Sequence, residues 1–348
     1  MAMKRIKWIL IFSLAVLLPG SGCKRGVETA SEPLKQQAEE HYLKGRRLFL
    51  NCDPDKYVEA AKEFQLALNY WDEYPEALAG LAETISMWRG YNLTEEEFGQ
   101  AYQLAQRSLR LKPDLADGYR AMADLFRHRR EDDRALRQIE NAIKYDPNNA
   151  ENFYVKGSAL LAKDPKEAAR ILIQAQKLNP DLAKIYFNLA SAAQKLGNYD
   201  EALKNLEKYQ RLIPSDVGSY CSMGMIYLNK KENETSESAG QEFENKAVEL
   251  FKLTIAKSDP NKKPWQTPWM MLSAKTLGKL YLDKKNYPEA LSWLQKGEEV
   301  NSEDAELHYL YGLVYQSSGD KKQAKTHLEK AAQLAPENEE IQSALKGL

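Results

Sequence analysis

Small and large apolar residues recur in one fixed order along most of this chain. Leu277-Gly278-x-x-Tyr281 is followed by Ala290, Leu294 and Gly297, and Tyr311-Gly312-x-x-Tyr315 by Ala324, Leu328 and Ala331. The same frame holds Met122-Ala123-x-x-Phe126 with Ala135, Ile139 and Ala142. It continues as Lys156-Gly157-x-x-Leu160 with Ala168, Leu172 and Ala175, then Leu189-Ala190-x-x-Ala193 with Ala202 and Leu206. Positions three and four apart form one stripe of a helix, so each unit predicts two amphipathic helices. Prolines punctuate the units: Pro113, Pro147, Pro180 and Pro214 are spaced by 34, 33 and 34 residues, and Ser302 and Pro336 by 34. Proline stops one helix pair before the next begins.

The residue types follow from packing. A small residue in the first helix lets the second lie close, the alanine opening the second does the same in return, and the large residues fill the remaining space. Turns such as Gly197-Asn198-Tyr199-Asp200 and Gly319-Asp320-Lys321 join the two helices, with glycine free to take positive φ. A two-helix hairpin cannot cover its own apolar face, so successive hairpins must stack. The pattern resembles the tetratricopeptide repeat over nearly everything after the first 31 residues. The resemblance implies an all-α superhelical solenoid of about eight helix-turn-helix repeats with a C-terminal capping helix. The expected organisation is repeats one to six at 32–260, a linker at 261–267, repeats seven and eight at 268–336 and a cap at 337–348.

Three repeats depart from the pattern. The first carries Gly45, Ala60, Phe64 and Ala67 but has extra residues at Asn51-Cys52-Asp53-Pro54. The second inserts Met87-Trp88-Arg89-Gly90-Tyr91-Asn92 before a helix holding Ala101 and Ala105. The sixth begins with Met223-Gly224-x-x-Tyr227, then runs through a polar insertion at 229–245 before Ala247 to Ala256 restores the stack.

Stacked first helices line a continuous concave groove, where the resemblance implies docking of an extended or helical segment of another protein. At the first-helix positions that face the groove in tetratricopeptide proteins, the resemblance implies Arg120 and Asp124, then Tyr154 and Ser158, then Lys184, Phe187, Asn188 and Ser191 as its lining. Tyr154 and Phe187 are candidate anchors, Asn188 a grip on backbone amides, and Arg120 or Lys184 a partner for an acidic group. The alternative is that some of these side chains only pack against their neighbours. The two-carboxylate clamp known in the family is not evident, because its positions hold Arg120, Asp124 and Val155. The Trp88-Arg89-Gly90-Tyr91 insertion is a second candidate surface, or folds back onto the convex face.

The amino terminus is of another kind. Lys4, Arg5 and Lys7 precede an apolar run from Trp8 to Leu18, and Pro19-Gly20-Ser21-Gly22 leads to Cys23. As a helix that run rises only ~16 Å, about half a bilayer core, so residues 1–22 read as an export signal rather than a span. Gly20-Ser21-Gly22-Cys23 resembles a lipobox, with Gly20 where such motifs carry a large aliphatic residue. The resemblance implies lipidation of Cys23, a flexible linker at 23–31 and, with Lys24 next, an outer-membrane anchor facing the periplasm. The alternative is an ordinary signal with an incidental cysteine.

Charge and chemistry narrow the rest. Lys plus Arg total 49 against 50 Asp plus Glu, so no basic field attracts nucleic acid, and none is expected as a partner. Cys52 and Cys221 lie five units apart, about 40 Å along a stack, and are expected to be free thiols. The histidines, His41, His128, His308 and His327, are taken to fall in different repeats, without metal-ligand spacing. There is no phosphate loop, nucleophile elbow, HExxH or dinucleotide turn. No catalytic residue, metal or cofactor is expected, and the resemblance to bacterial repeat-containing lipoproteins implies a scaffold for envelope machinery such as a pilus or secretion system. Exopolysaccharide export is the alternative, and an envelope hydrolase a distant third.

Overall fold

The computed structural model describes residues 30–348, so residues 1–22, the expected signal, and Cys23 lie outside it. The described residues form seventeen α-helices, arranged as eight antiparallel pairs and a final single helix. The pairs are α1 (Glu32–Leu50) with α2 (Pro54–Tyr70), α3 (Pro75–Arg89) with α4 (Glu95–Leu111), and α5 (Ala116–His128) with α6 (Asp132–Tyr145). Next come α7 (Ala150–Leu160) with α8 (Pro165–Leu178), α9 (Lys184–Lys195) with α10 (Tyr199–Leu212), and α11 (Gly218–Glu232) with α12 (Glu237–Lys257). A 3-10 turn at Pro264–Gln266 precedes α13 (Thr267–Asp283) with α14 (Tyr287–Glu298). The array ends with α15 (Ala305–Ser318), α16 (Lys321–Leu334) and α17 (Glu339–Lys346).

Local chemistry sets the boundaries. Pro54, Pro75 and Pro165 occupy first helical turns, where a missing N–H costs nothing. Thr94 and Glu97 form a reciprocal capping box at the start of α4, which fixes the end of the Met87–Asn92 insertion. Four hairpin turns share one closing bond: Glu131 N–H to Phe126 O, Asn198 to Ala193, Asn286 to Tyr281 and Asp320 to Tyr315, at 2.8–2.9 Å. That turn needs a left-handed residue. Gly197 and Gly319 supply it freely, whereas Arg130 and Lys285 hold φ of 61° and 58° against the usual side-chain penalty.

The small-to-large fit is tight. A Cβ added to Gly278 would lie 2.5 Å from Leu294 Cδ2, and one on Gly312 equally close to Leu328 Cγ. The apolar interior accordingly runs as successive clusters along the array, centred on residues such as Phe64, Leu172, Leu206, Phe251 and Leu294. First helices of successive repeats contact one another, as α3 with α5, α5 with α7 and α7 with α9, while second helices pack outside them. The first helices therefore line the inner wall.

Two expectations are corrected here. The polar insertion at 229–245 is mostly helix: α11 runs to Glu232 and α12 starts at Glu237. Glu244 supports that extension by pairing with both Lys231 and Lys284, beside Phe243, whose ring lies against Tyr227. The 40 Å separation assumed for Cys52 also fails, because the superhelix curves the first repeat back onto the fifth. Cys52 packs among Tyr154, Ile185, Tyr209 and Ile213, although both Cys52 and Cys221 are free and buried.

Candidate functional site: the inner wall

The inner wall of repeats one to five is a buried ionic lattice. Arg120, 1% exposed, donates to both oxygens of Glu83, to Asp117 Oδ1 at 2.6 Å and to Asn152 Oδ1 at 3.2 Å. Asn152 in turn donates to the carbonyls of Ala142 (3.2 Å) and Asp146 (2.9 Å), tying the lattice to the backbone. Arg46 donates to Glu83 Oε2 at 3.1 Å and to Glu151 Oε1. Lys184 Nζ lies 3.7 Å from Glu151 Oε2, within ion-pair but not hydrogen-bond range. The same ammonium faces the rings of Tyr154 at 4.4 Å and Phe49 at 5.1 Å. Arg46, Arg120 and Lys184 are thus matched by Glu83, Asp117 and Glu151, which is what allows such charges out of water. Burial pushes the Glu83 carboxyl up to about 7 despite Arg120 and Arg46. Burial also opposes ionisation of Glu151, but Arg46, Arg120 and Lys184 overcome it and hold that carboxyl at about 2.

The eight groove residues picked from sequence all stand on inner-wall helices, but they divide. Arg120, Asp124, Tyr154 and Lys184 are buried, and Ser158, Phe187, Asn188 and Ser191 are half-buried. The half-buried four form one patch: Asn188 Nδ2 donates to Ser158 Oγ, and Ser191 Oγ donates to the Phe187 carbonyl at 3.0 Å. Phe187 stands edge-on to Tyr209, ring centres 5.3 Å apart. Of the second candidate surface, Trp88 packs against the first apolar cluster, and the side chains of Arg89 and Tyr91 lie outside the described ones.

Sequence reasoning missed Arg46, Glu83 and Glu151. A signal was present, since Arg46, Glu83, Asp124, Ser158 and Ser191 each directly follow the small residue of the first helix. The atypical first two repeats hid the first two of these.

Two polar contacts were not expected. Ser86 Oγ lies 2.8 Å from His128 Nδ1, and His128 Nε2 accepts from Arg127, itself paired with Asp124 at 2.8 Å. Since Nε2 accepts, Nδ1 carries the hydrogen and donates to Ser86, the wrong direction for activating a nucleophile. Both residues are also buried from substrate. The assignment of the histidines to different repeats is corrected as well: α15 and α16 are one hairpin, and it sets His308 Nδ1 3.0 Å from His327 Nδ1. Among the described residues no group of three His, Cys, Asp or Glu side chains is placed to hold a metal. Nor is any described helix long and apolar enough to cross a membrane.

Comparison with known proteins agrees with this architecture. Models of the tetratricopeptide repeat match residues 159–217 and 305–338, and a TPR repeat model matches 278–319. The chain carries tetratricopeptide repeats. It is 27% identical over 205 residues to protein O-mannosyl-transferase TMTC3 of Homo sapiens, covering 57% of this chain and 21% of that protein. It is 30% identical over 216 residues to Hsp70-Hsp90 organizing protein 1 of Glycine max, covering 61% and 33%. The matches thus span a fifth to a third of those relatives. Among solved structures it is similar to Cut9 in the APC/C Cut9-Hcn1 hetero-tetramer, with TM-score 0.62, 20% identity and coverage of 90% and 56%. Yeast Tom70 gives TM-score 0.53, 18% identity and coverage of 89% and 63%. These two likenesses show the fold. Repeats of this kind imply a scaffold for protein–protein interaction.

Proposed function

We propose that this chain is a non-catalytic adaptor of a bacterial envelope, held to the outer membrane by lipid on Cys23 and receiving a segment of another protein on its inner wall. The observation that supports docking most is the Ser158, Phe187, Asn188 and Ser191 patch, where an accessible aromatic ring stands beside hydrogen-bonding side chains on stacked first helices. Assembly of an envelope machine such as a pilus or secretion system is the role this arrangement suits. The anchor rests on the basic, apolar and small-residue sequence before Cys23.

Crosslinked cells expressing wild type or Phe187→Ala/Asn188→Ala test the docking reading. Capture of pilus or secretin subunits that is lost in the variant, with helicity unchanged, is the expected result, and equal capture removes the inner wall as the docking site. Recovery of glycosyltransferases and polysaccharide porins instead replaces the pathway with exopolysaccharide export. For the anchor, Cys23→Ala should release the protein from membranes or leave an uncleaved precursor, and unchanged fractionation and mass refute it.

A further inference from the structure

The inner wall already has an occupant. The corner between α1 and α2 reaches across the superhelix: Phe49 lies under Lys184, and Cys52, 6% exposed, enters the cluster around Tyr154 and Tyr209. Cys52 does so in a left-handed conformation, φ 56°, which carries a steric cost for a residue with a side chain. Farther out, Asp53 Oδ2 accepts from Ser215 Oγ at 3.1 Å. Asp55 accepts from Trp265 Nε1 at 2.9 Å and pairs with Lys263 Nζ at 2.5 Å. These contacts join positions 162 and 210 residues apart, so nothing in the neighbouring repeats enforces them.

The attachment is uneven. The α1–α2 hairpin is fixed to α3 through the fully buried Phe64, whose ring fills the space beside Gly45 and Gly80. Its hold on the distant repeats is the buried Arg46–Glu151 pair, the Phe49 and Leu50 side chains, one thiol and, farther out, Asp53 with Ser215 and a clasp whose side chains, Asp55 and Lys263, are 38% and 32% exposed. Water competes for such pairs, so the clasp belongs to the part of the attachment that opens first. Arg46 lies on α1 ahead of the corner, and its buried pair with Glu151 is the contact that an outward swing of residues 49–55 leaves in place.

We propose that the Phe49–Asp55 corner is a displaceable internal occupant of the inner wall, and that a partner gains Tyr154, Lys184 and Glu151 by competing with it. This rests on the docking reading above and adds its regulation. The corner also defines the competitor: an aromatic and a small apolar residue followed closely by carboxylates, because Lys184 faces the ring while Trp265 and Lys263 receive the acid. A segment of that chemistry reproduces each contact the corner makes.

Thiol exposure in the full chain tests this. A pulse of N-ethylmaleimide followed by peptide mapping reads Cys52 and Cys221 separately. Trp265→Phe removes the N–H given to Asp55 with little change of shape, and Asp55→Asn weakens the pairing with Lys263. Together they should raise Cys52 modification about tenfold, with Cys221 and far-UV dichroism unchanged. A synthetic peptide spanning residues 46–58, with serine for its cysteine, should bind Asp55→Asn, whose wall keeps both Trp265 and Lys263, several-fold more tightly than wild type. Unchanged Cys52 modification, or Cys52 and Cys221 rising together, overturns the displaceable corner. Selective exposure of Cys52 without peptide binding, together with capture indifferent to Phe187→Ala/Asn188→Ala, overturns the inner wall as a docking site and leaves only a corner that moves.

Discussion

Arg120→Met isolates what the ionic lattice contributes. Arg120 is 1% exposed and spans repeats two to four, bonding Glu83, Asp117 and Asn152. The methionine fills most of its volume but leaves Glu83, equally buried, with only the 3.1 Å bond from Arg46, and leaves Asn152 Oδ1 without its donor. An uncompensated buried carboxylate costs about 3–5 kcal/mol, and the orphaned amide oxygen about 1 kcal/mol more. Glu83→Met/Arg120→Met removes both charges and should recover at least half of that loss. The cost should also depend on pH. Glu83 already sits at about 7, and losing Arg120 raises it further. A carboxyl whose folded pKa exceeds its unfolded value stabilises at low pH and loses that contribution as pH rises, so the single variant should be least impaired near pH 5 and most above pH 8. Because a repeat array does not unfold all at once, the measurement is hydrogen exchange of the α5 amides, which reports the local opening free energy. A loss below about 1 kcal/mol, or a double variant as impaired as the sum of its singles, refutes the lattice as a coupled unit.

Other consequences are separate. Gly278→Ala, whose Cβ would lie 2.5 Å from Leu294, should cost about 1–3 kcal/mol, read as earlier urea melting of repeats seven and eight. Lys285→Gly should raise the melting temperature, since relief of a φ of 58° outweighs the extra chain entropy by roughly 0.5 kcal/mol; a lower melting temperature would contradict the strain. Burial, reinforced by Arg127, holds the His128 pKa well below its ordinary 6.5. The unfolded chain takes up a proton there that the folded chain refuses, so stability should fall by up to about 1.4 kcal/mol per pH unit below pH 6.5. His128→Gln should flatten that slope in pH-dependent denaturant titrations.

The sequence by itself determined the repeating unit. Gly157 facing Leu172, Gly278 facing Leu294 and Gly312 facing Leu328 are contacts within one hairpin, so they recur in sequence with the period of the structure. Such nearest-neighbour packing needs no knowledge of distant parts. The inner-wall register was equally readable wherever the repeat was regular, which is why all eight candidates stand on first helices. Whether each is exposed was decided elsewhere. Small rotations between successive hairpins add up until Phe49 and Cys52 meet Tyr154, Lys184 and Tyr209, and Asp55 meets Trp265. That sum involves every interface in between, and no local pattern records it. Closure of the superhelix is therefore what turned Tyr154 and Lys184 from an open groove lining into buried contacts.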